Sequence, residues 1–492
     1  MNHKNYLILS DILAIAILIL GLGISFVFSI HKPLWLDEIA SINIIRVDNL
    51  TTLLKNMYLG ADSNPPFYFV ILFEVKSLLG ENVILFRSLS LFFSLLGIYF
   101  LLRINPTKGT YFYLPLLILS SYFFMTYLIC EIRPYALLFF LASLLFFIFT
   151  KINSTNRTPT LYLIYFFTAN VLMLYTHYFS LFYFFVLALV QLFISIKRKK
   201  WTNFIVMVLA FLAFLPWSNA IINQFSVFHG YVWQEPPEFL RIIKLPYIFL
   251  SYLSFLLLLI LGFFLGSRKR ILIHEISNEY NLLVVIVSTL WVLIPFVIGI
   301  ASKIGFFVYV ERYFAISLIG YLLLATALLN LIYENKKGKI VLFCLAVFLY
   351  SVHIVNYEKD IYFNRSHLAS QIDLVKKGSV IVCESPHQFF PLYYYTGIQN
   401  RKNIYLILDK NSALEKGSVK NEIFDYYWNM NLKKYYSHPN ILEWNDFNKL
   451  LIPSFYLINE RGRKCFEVEI EHNSLFSYKS VQDSLLWIMR KN

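Results

Sequence analysis

The chain alternates long apolar runs with short polar breaks, and most of the runs match the thickness of a bilayer. A helix rises about 1.5 Å per residue, so about 20 apolar residues cross ~30 Å of hydrocarbon. On that criterion spans are expected near 7–29, 84–102, 111–129, 133–150, 160–176, 178–196, 201–220, 246–266, 281–302, 309–333 and 339–355. The stretch 66–79 is apolar but short and carries Glu74 and Lys76, so it is expected to lie at the interface as a juxtamembrane helix. Past residue 356 the hydropathy falls. The segments 379–383 and 403–408 read as short buried strands, and 373–377 as a helix end before the first of them. The expected architecture is an all-α polytopic membrane domain over 1–355 with about eleven transmembrane helices and a first outer loop at 30–83. A small α/β domain follows over 356–492.

Composition and charge sharpen this picture. Of 492 residues, 58% are hydrophobic and only 15% are charged, with a mean hydropathy of +0.61. Soluble domains carry about 25% charged residues, so a soluble globular protein is excluded. The net charge of +14 falls in short clusters between spans, the pattern of cytoplasmic loops, and no nucleic-acid partner is expected. With the N-terminus inside, Arg103 and Lys108, Lys151 and Arg157, the runs 197–200 and 268–270, and Lys336, Lys337 and Lys339 all face the cytoplasm. Counting 66–79 as a span would move every one of these clusters outside. The expectation is therefore N-in and C-out, with the α/β domain extracytoplasmic and the first run a retained span. Cys130, Cys344, Cys383 and Cys465 show no metal-ligand spacing, and Cys383 and Cys465 could pair only in an oxidising compartment.

Once the sides are assigned, the unusual polar residues gather on the outer one. They are the adjacent acids Asp37 and Glu38 and, after them, Asn64 before two prolines and Arg87 at a span end. Glu131, Arg133 and Tyr135 lie in one outer turn and His177 in the next, while Glu311, Arg312 and Tyr313 open a later span. Trp217 and the loop holding Trp233, Glu235 and Glu238 are on the same side. Polar groups are costly near lipid, so their convergence points to a site at the membrane–water boundary. A transporter would instead carry ionisable residues near mid-span, and here the apolar runs are clean through their middles. Local alternatives stay open: Arg133 could pair with Glu131 and Arg312 with Glu311, and Arg87 could snorkel to headgroups. Tyr135, Tyr313 and the tryptophans suit an aromatic belt, and His177 a structural hydrogen bond.

The stretches 35–38, 64–68, 86–90, 131–135, 175–179 and 312–313 occur in a telling order. In that order and spacing the chain resembles membrane glycosyltransferases of the GT-C fold, the branch with protein O-mannosyltransferases and lipid A aminoarabinose transferases. The resemblance covers about residues 30–320 and leaves the C-terminal domain outside. Asn64 departs from it, since relatives often carry histidine before the two prolines. The resemblance implies inverting transfer of a sugar from a polyprenyl-phosphate carrier to a glycan, lipid or protein acceptor outside the inner (plasma) membrane. By this match Asp37 is the general base, and Glu38 orients it or contacts the acceptor. Arg87, Arg133 and Arg312 are placed to bind the donor phosphate, and Asn64, Glu131, Tyr135, His177 and Tyr313 to bind substrate. Related oligosaccharyltransferases hold a divalent ion with paired acids. With no clear second acidic cluster here, no metal or other cofactor is expected, and a divalent ion is the alternative. The rival readings are a lipid-linked-sugar transporter or flippase, an inactive assembly subunit, and a polymerase of lipid-linked oligosaccharides.

Overall fold

The computed structural model describes residues 3–104, 109–155, 159–227, 236–251, 279–304, 309–330, 336–408, 421–436, 438–458, 476–482 and 485–490. In chain order the helices begin with α1 (His3–His31), α2 (Leu36–Ile45), α3 (Leu50–Tyr58), α4 (Phe67–Leu79), α5 (Val83–Ile104) and α6 (Thr110–Ser120). They continue with α7 (Tyr135–Ser154), α8 (Thr160–Leu174), α9 (Ser180–Arg198), α10 (Thr202–Phe214) and α11 (Ser218–Val227). After α12 (Phe239–Ile243) and α13 (Leu245–Leu250) come α14 (Glu279–Ser302), α15 (Ala315–Asn330) and α16 (Lys336–Lys376). The last part of the chain holds β1 (Ile381–Cys383), α17 (Pro386–Tyr395), β2 (Ile404–Leu408), α18 (Asn421–Tyr436), β3 (Ile441–Glu443), α19 (Trp444–Lys449), β4 (Ser454–Ile458), β5 (Phe476–Gln482) and β6 (Leu485–Arg490). Two compact units result. The first holds Met1–His31, Asn64–Ser218 and Pro236–Glu358; the second holds Lys32–Ser63, Asn219–Glu235 and Lys359–Asn492.

Eight helices among the described residues are long and apolar enough to cross a membrane, and the chain is an integral membrane protein. α6 and α8 are apolar but shorter. The run expected as one span over 111–129 is instead α6 followed by a π-turn at Phe124–Leu128. Pro134 then closes the irregular stretch, because a proline disfavours helix in the residue before it. Backbone groups freed in this stretch need partners in an apolar environment. Ser94 Oγ donates to the Leu128 carbonyl at 2.7 Å, Ser90 Oγ to that of Glu131 at 2.5 Å, and Ser251 Oγ to that of Ser120 at 2.9 Å. α5 packs closely on α7 at Gly97, where a Cβ would lie 2.5 Å from the Phe139 ring. Most of the span expected at 246–266 lies outside the described residues. The last span is not a separate short helix: α16 runs unbroken for 41 residues.

The second unit contains a six-stranded sheet in the order β3-β2-β1-β4-β6-β5. β1 to β4 pair in parallel, and the β5–β6 hairpin adds on antiparallel to β4. Parallel strands buried on both faces read as continuous apolar runs, which is why Ile381, Val382, Ile404 and Leu406 could be recognised as strand residues. Val382, Ile407, Phe447, Phe455 and Ile488 form its core. Cys383 is buried in β1, and burial pushes its thiol pKa up; Cys465 lies outside the described residues.

Candidate functional site

The residues singled out by sequence fall into both units. Most of those of the first unit are carried by turns between apolar helices, while Arg87 lies in the first turns of α5 and Tyr135 opens α7. Phe67, at the start of α4, donates its N–H to the Tyr175 carbonyl at 3.0 Å, which fastens the Asn64-Pro65-Pro66 turn to the turn after α8. Asn64, Glu131, Arg133, Tyr135 and His177 are all buried. Ring contacts draw three elements together: His177 lies 5.0 Å from Tyr313 and 5.8 Å from Tyr135, and Tyr135 lies 6.3 Å from Tyr313. Phe179, part of the 175–179 stretch but not singled out there as a site residue, makes a tilted contact at 5.0 Å with Tyr313 and an edge-on contact at 5.6 Å with Phe314.

The imidazole of His177 is fixed in one tautomer. The Phe179 backbone N–H donates to its Nδ1 at 3.2 Å, so the proton of the neutral ring sits on Nε2. That Nε2 is buried with no hydrogen-bond partner among the described residues. Burial, with the charges of Arg133 and Arg312 beside it, pushes the His177 pKa down to about 3. A ring held neutral in this way can donate a hydrogen bond but is not suited to carry protons near neutral pH.

The arginines divide by their partners. Glu311 is gripped by Arg241, with Nε to Oε1 at 2.5 Å and the second nitrogen to Oε2 at 2.8 Å. The sequence neighbour Arg312 is therefore not the residue that holds Glu311 in a fork, as local pairing had suggested. Sequence offered no sign of Arg241, which lies 70 residues away. Arg87 does not snorkel: it is buried and donates to the Ser29 carbonyl near the end of α1. Trp217 donates its indole N–H to the Tyr178 hydroxyl at 3.0 Å. Trp233 and Glu235 lie outside the described residues.

In the second unit the acids open α2. Glu38 is fully buried, and one of its carboxylate oxygens accepts from the backbone N–H of Trp35 at 3.4 Å, the reach-back expected of an acid in the first turn. Asp37 is only half-buried and so is the more accessible acid. α2 packs on α17, and the Leu34 N–H donates to the Tyr395 hydroxyl at 2.9 Å. At the other end of α2, Arg46 donates to Asn43 Oδ1 at 3.2 Å and lies over the Tyr394 ring at 5.5 Å. This leaves the Asn43 amide nitrogen facing His438 Nε2 at 3.3 Å. Burial, then Arg46 and Arg401, lower the His438 pKa to about 4, so the ring is the neutral acceptor that Asn43 needs.

The carbonyls at the end of α3 are captured in the same fashion. Gln224 donates to Met57 at 2.9 Å, Asn223 to Tyr58 at 3.2 Å, Tyr435 to Leu59 at 3.3 Å, and Asn431 to Gly60. Gly60 has φ +98°, and a Cβ there would lie 2.8 Å from Val227, so only glycine fits the turn. Among the described residues, no group of three or more His, Cys, Asp or Glu is placed to hold a metal.

No family model matches the chain, and no curated protein matches it. The architecture, a polytopic helical membrane protein with a small C-terminal sheet domain, is that of the GT-C fold. Among solved structures, the chain is similar to the crystal structure of ArnT from Cupriavidus metallidurans bound to undecaprenyl phosphate. The TM-score is 0.57 at 12% identity, covering 99% of this chain and 98% of that one. The apo state of the same protein gives a TM-score of 0.56 at 12% identity, with 97% of each chain covered. The likeness extends through the C-terminal domain, beyond the stretch where sequence motifs suggested it.

Proposed function

We propose that the chain is an inverting glycosyltransferase that moves a monosaccharide from a polyprenyl-phosphate carrier to an acceptor outside the plasma membrane. The observation that carries this reading is the cluster of Arg133, Arg312, His177, Tyr135 and Tyr313, built into a membrane protein with the fold of ArnT. Two guanidinium groups and a fixed neutral donor in a buried setting suit a lipid phosphate, whose negative charge grows as the sugar leaves. The ArnT structure with undecaprenyl phosphate supports a lipid of that class as the donor's carrier.

In this mechanism the acceptor hydroxyl attacks the anomeric carbon from the face opposite the phosphate. The new C–O bond forms as the sugar–phosphate bond breaks, and the configuration inverts. Asp37 takes the hydroxyl proton, and the polyprenyl phosphate leaves as an anion stabilised by Arg133 and Arg312. Glu38 holds the first turn of α2 in place, and Arg87 holds α5 against α1, so both act through the scaffold. Because arginine side chains supply the positive charge, the reaction proceeds without a metal ion.

The test is purified full chain in vesicles, given radiolabelled polyprenyl-phosphate sugars and membrane extracts as acceptor, with and without chelator. Label leaving the lipid for an acceptor, unaffected by chelator, supports the reading. A chain that moves no label from any donor would be a transporter or an inactive subunit of the same fold.

A further inference from the structure

The far ends of the same helices carry a second feature that sugar transfer does not use. The arginine–aromatic cluster sits where α7 begins and α9 begins. A cavity of about 1100 Å³ lies where α7 and α9 end and where α10 and α14 begin. Along the 20 residues of α7 the two places are separated by about 28 Å, the thickness of a hydrocarbon core.

The sequence builds this cavity in two layers. Lys199 takes a left-handed conformation (φ 55°) and ends α9, with Lys200 N–H donating to the Ser195 carbonyl at 3.1 Å. The sharp turn sets Lys197, Arg198 and Lys200 along the cavity, and among its described lining residues none is acidic. Beneath them Asn153 donates to Gln191 at 2.9 Å and Gln191 to Ser195 at 3.3 Å, a buried polar floor. The walls are apolar and open sideways: Phe193 is 69% exposed, Leu189 66% and Leu282 44%.

We propose that this cavity binds an anionic membrane phospholipid, its phosphate among Lys197, Arg198 and Lys200 and its acyl chains along Leu189, Phe193 and Leu282. A basic head site over lipid-facing apolar walls fits an amphiphile that enters laterally, and diacyl phospholipid is the bulk of what a leaflet offers. A neutral lipid would gain nothing from the three cations. In the orientation expected from the basic clusters, this is the cytoplasmic leaflet.

The test is native mass spectrometry of the full chain in neutral detergent. Dioleoylphosphatidylglycerol, dioleoylphosphatidylcholine and undecaprenyl phosphate are titrated onto wild type and the Lys197→Ala/Lys200→Ala double variant. Both lysines are exposed, and an unchanged melting temperature in phosphatidylcholine shows that the variant is folded. Wild type retains phosphatidylglycerol over phosphatidylcholine, and the double variant loses about 30-fold in phosphatidylglycerol affinity. Equal retention of the two phospholipids, or phosphatidylglycerol binding unchanged by the double variant, overturns the site. Undecaprenyl phosphate held at these lysines in place of phosphatidylglycerol overturns the phospholipid assignment. The readout is binding, so it stands or falls apart from sugar transfer.

Discussion

The arginine–aromatic cluster of the first unit and the Asp37 helix of the second are held by opposite means. The first is shaped by apolar packing. Tyr135 opens α7, while His177, Phe179 and Tyr313 lie in short turns whose positions are dictated by the helices on either side, and ring contacts fix them. The second is held by polar side chains reaching from far along the chain. α2 and α3 are short, and α3 ends in carbonyls that four side chains from α11 and α18 must satisfy. A charge-binding site can thus rest on a rigid apolar frame, while the proposed base depends on a hydrogen-bonded brace that single substitutions can loosen.

The largest expected difference lies in the cations. Arg133→Ala with Arg312→Ala should reduce transfer by at least about 10³-fold, since each removes charge aimed at the leaving phosphate. The same double change should let His177 titrate closer to its ordinary range, as both arginines now hold its pKa down; NMR of the imidazole would show this. A His177 that still titrates near 3 would assign the shift to burial alone.

A smaller effect is expected in the brace. His438→Ala leaves the Asn43 amide without its acceptor and should lower kcat by about tenfold, while KM for the lipid donor stays unchanged. His438→Gln offers an acceptor again and should recover most of the rate. A rise in donor KM equal to the loss in kcat would mean that the brace serves lipid binding, and the contrast between the units would fail.

The smallest effect is on stability against pH. The His438 pKa is lowered to about 4 in the folded chain against an ordinary value of 6.5. Between these values the unfolded chain binds a proton that the folded chain refuses, so stability contributed by the neutral ring is full above pH 6.5 and declines as pH falls towards 4. The denaturation midpoint of wild type should therefore fall further over this window than that of His438→Gln. Parallel curves would show that His438 does not contribute.

Sequence made one side of this contrast far more legible than the other. Apolar run length located most of the spans, and the polar residues at the run edges drew attention to Arg133, His177 and Arg312, because lipid tolerates such groups only at ends or with partners. The strands around Ile381 and Ile404 were legible because parallel buried strands are continuously apolar. The turn at 131–135 was legible, but the early end of α6 at Ser120 was hidden, since the residues that follow are as apolar as a helix and the serines that satisfy the freed carbonyls come from elsewhere, Ser90 and Ser94 on α5 and Ser251 after α13. The continuity of α16 was hidden too, because its second half is polar and gave no membrane signal. Asn43 and His438 lie 395 positions apart, and nothing in the spacing of either residue announces the other.

In the proposed mechanism Asp37 removes the acceptor proton in transfer from a lipid phosphate. Asp37→Asn keeps the shape of the side chain and, on a half-buried residue, should leave the fold intact. The decisive measurement is single-turnover transfer of labelled sugar from polyprenyl phosphate by wild type and Asp37→Asn, with donor binding measured on both. With Asp37 as general base, Asp37→Asn should lower the rate by about 10²–10⁴-fold at unchanged donor affinity. Equal rates for the two proteins would contradict it.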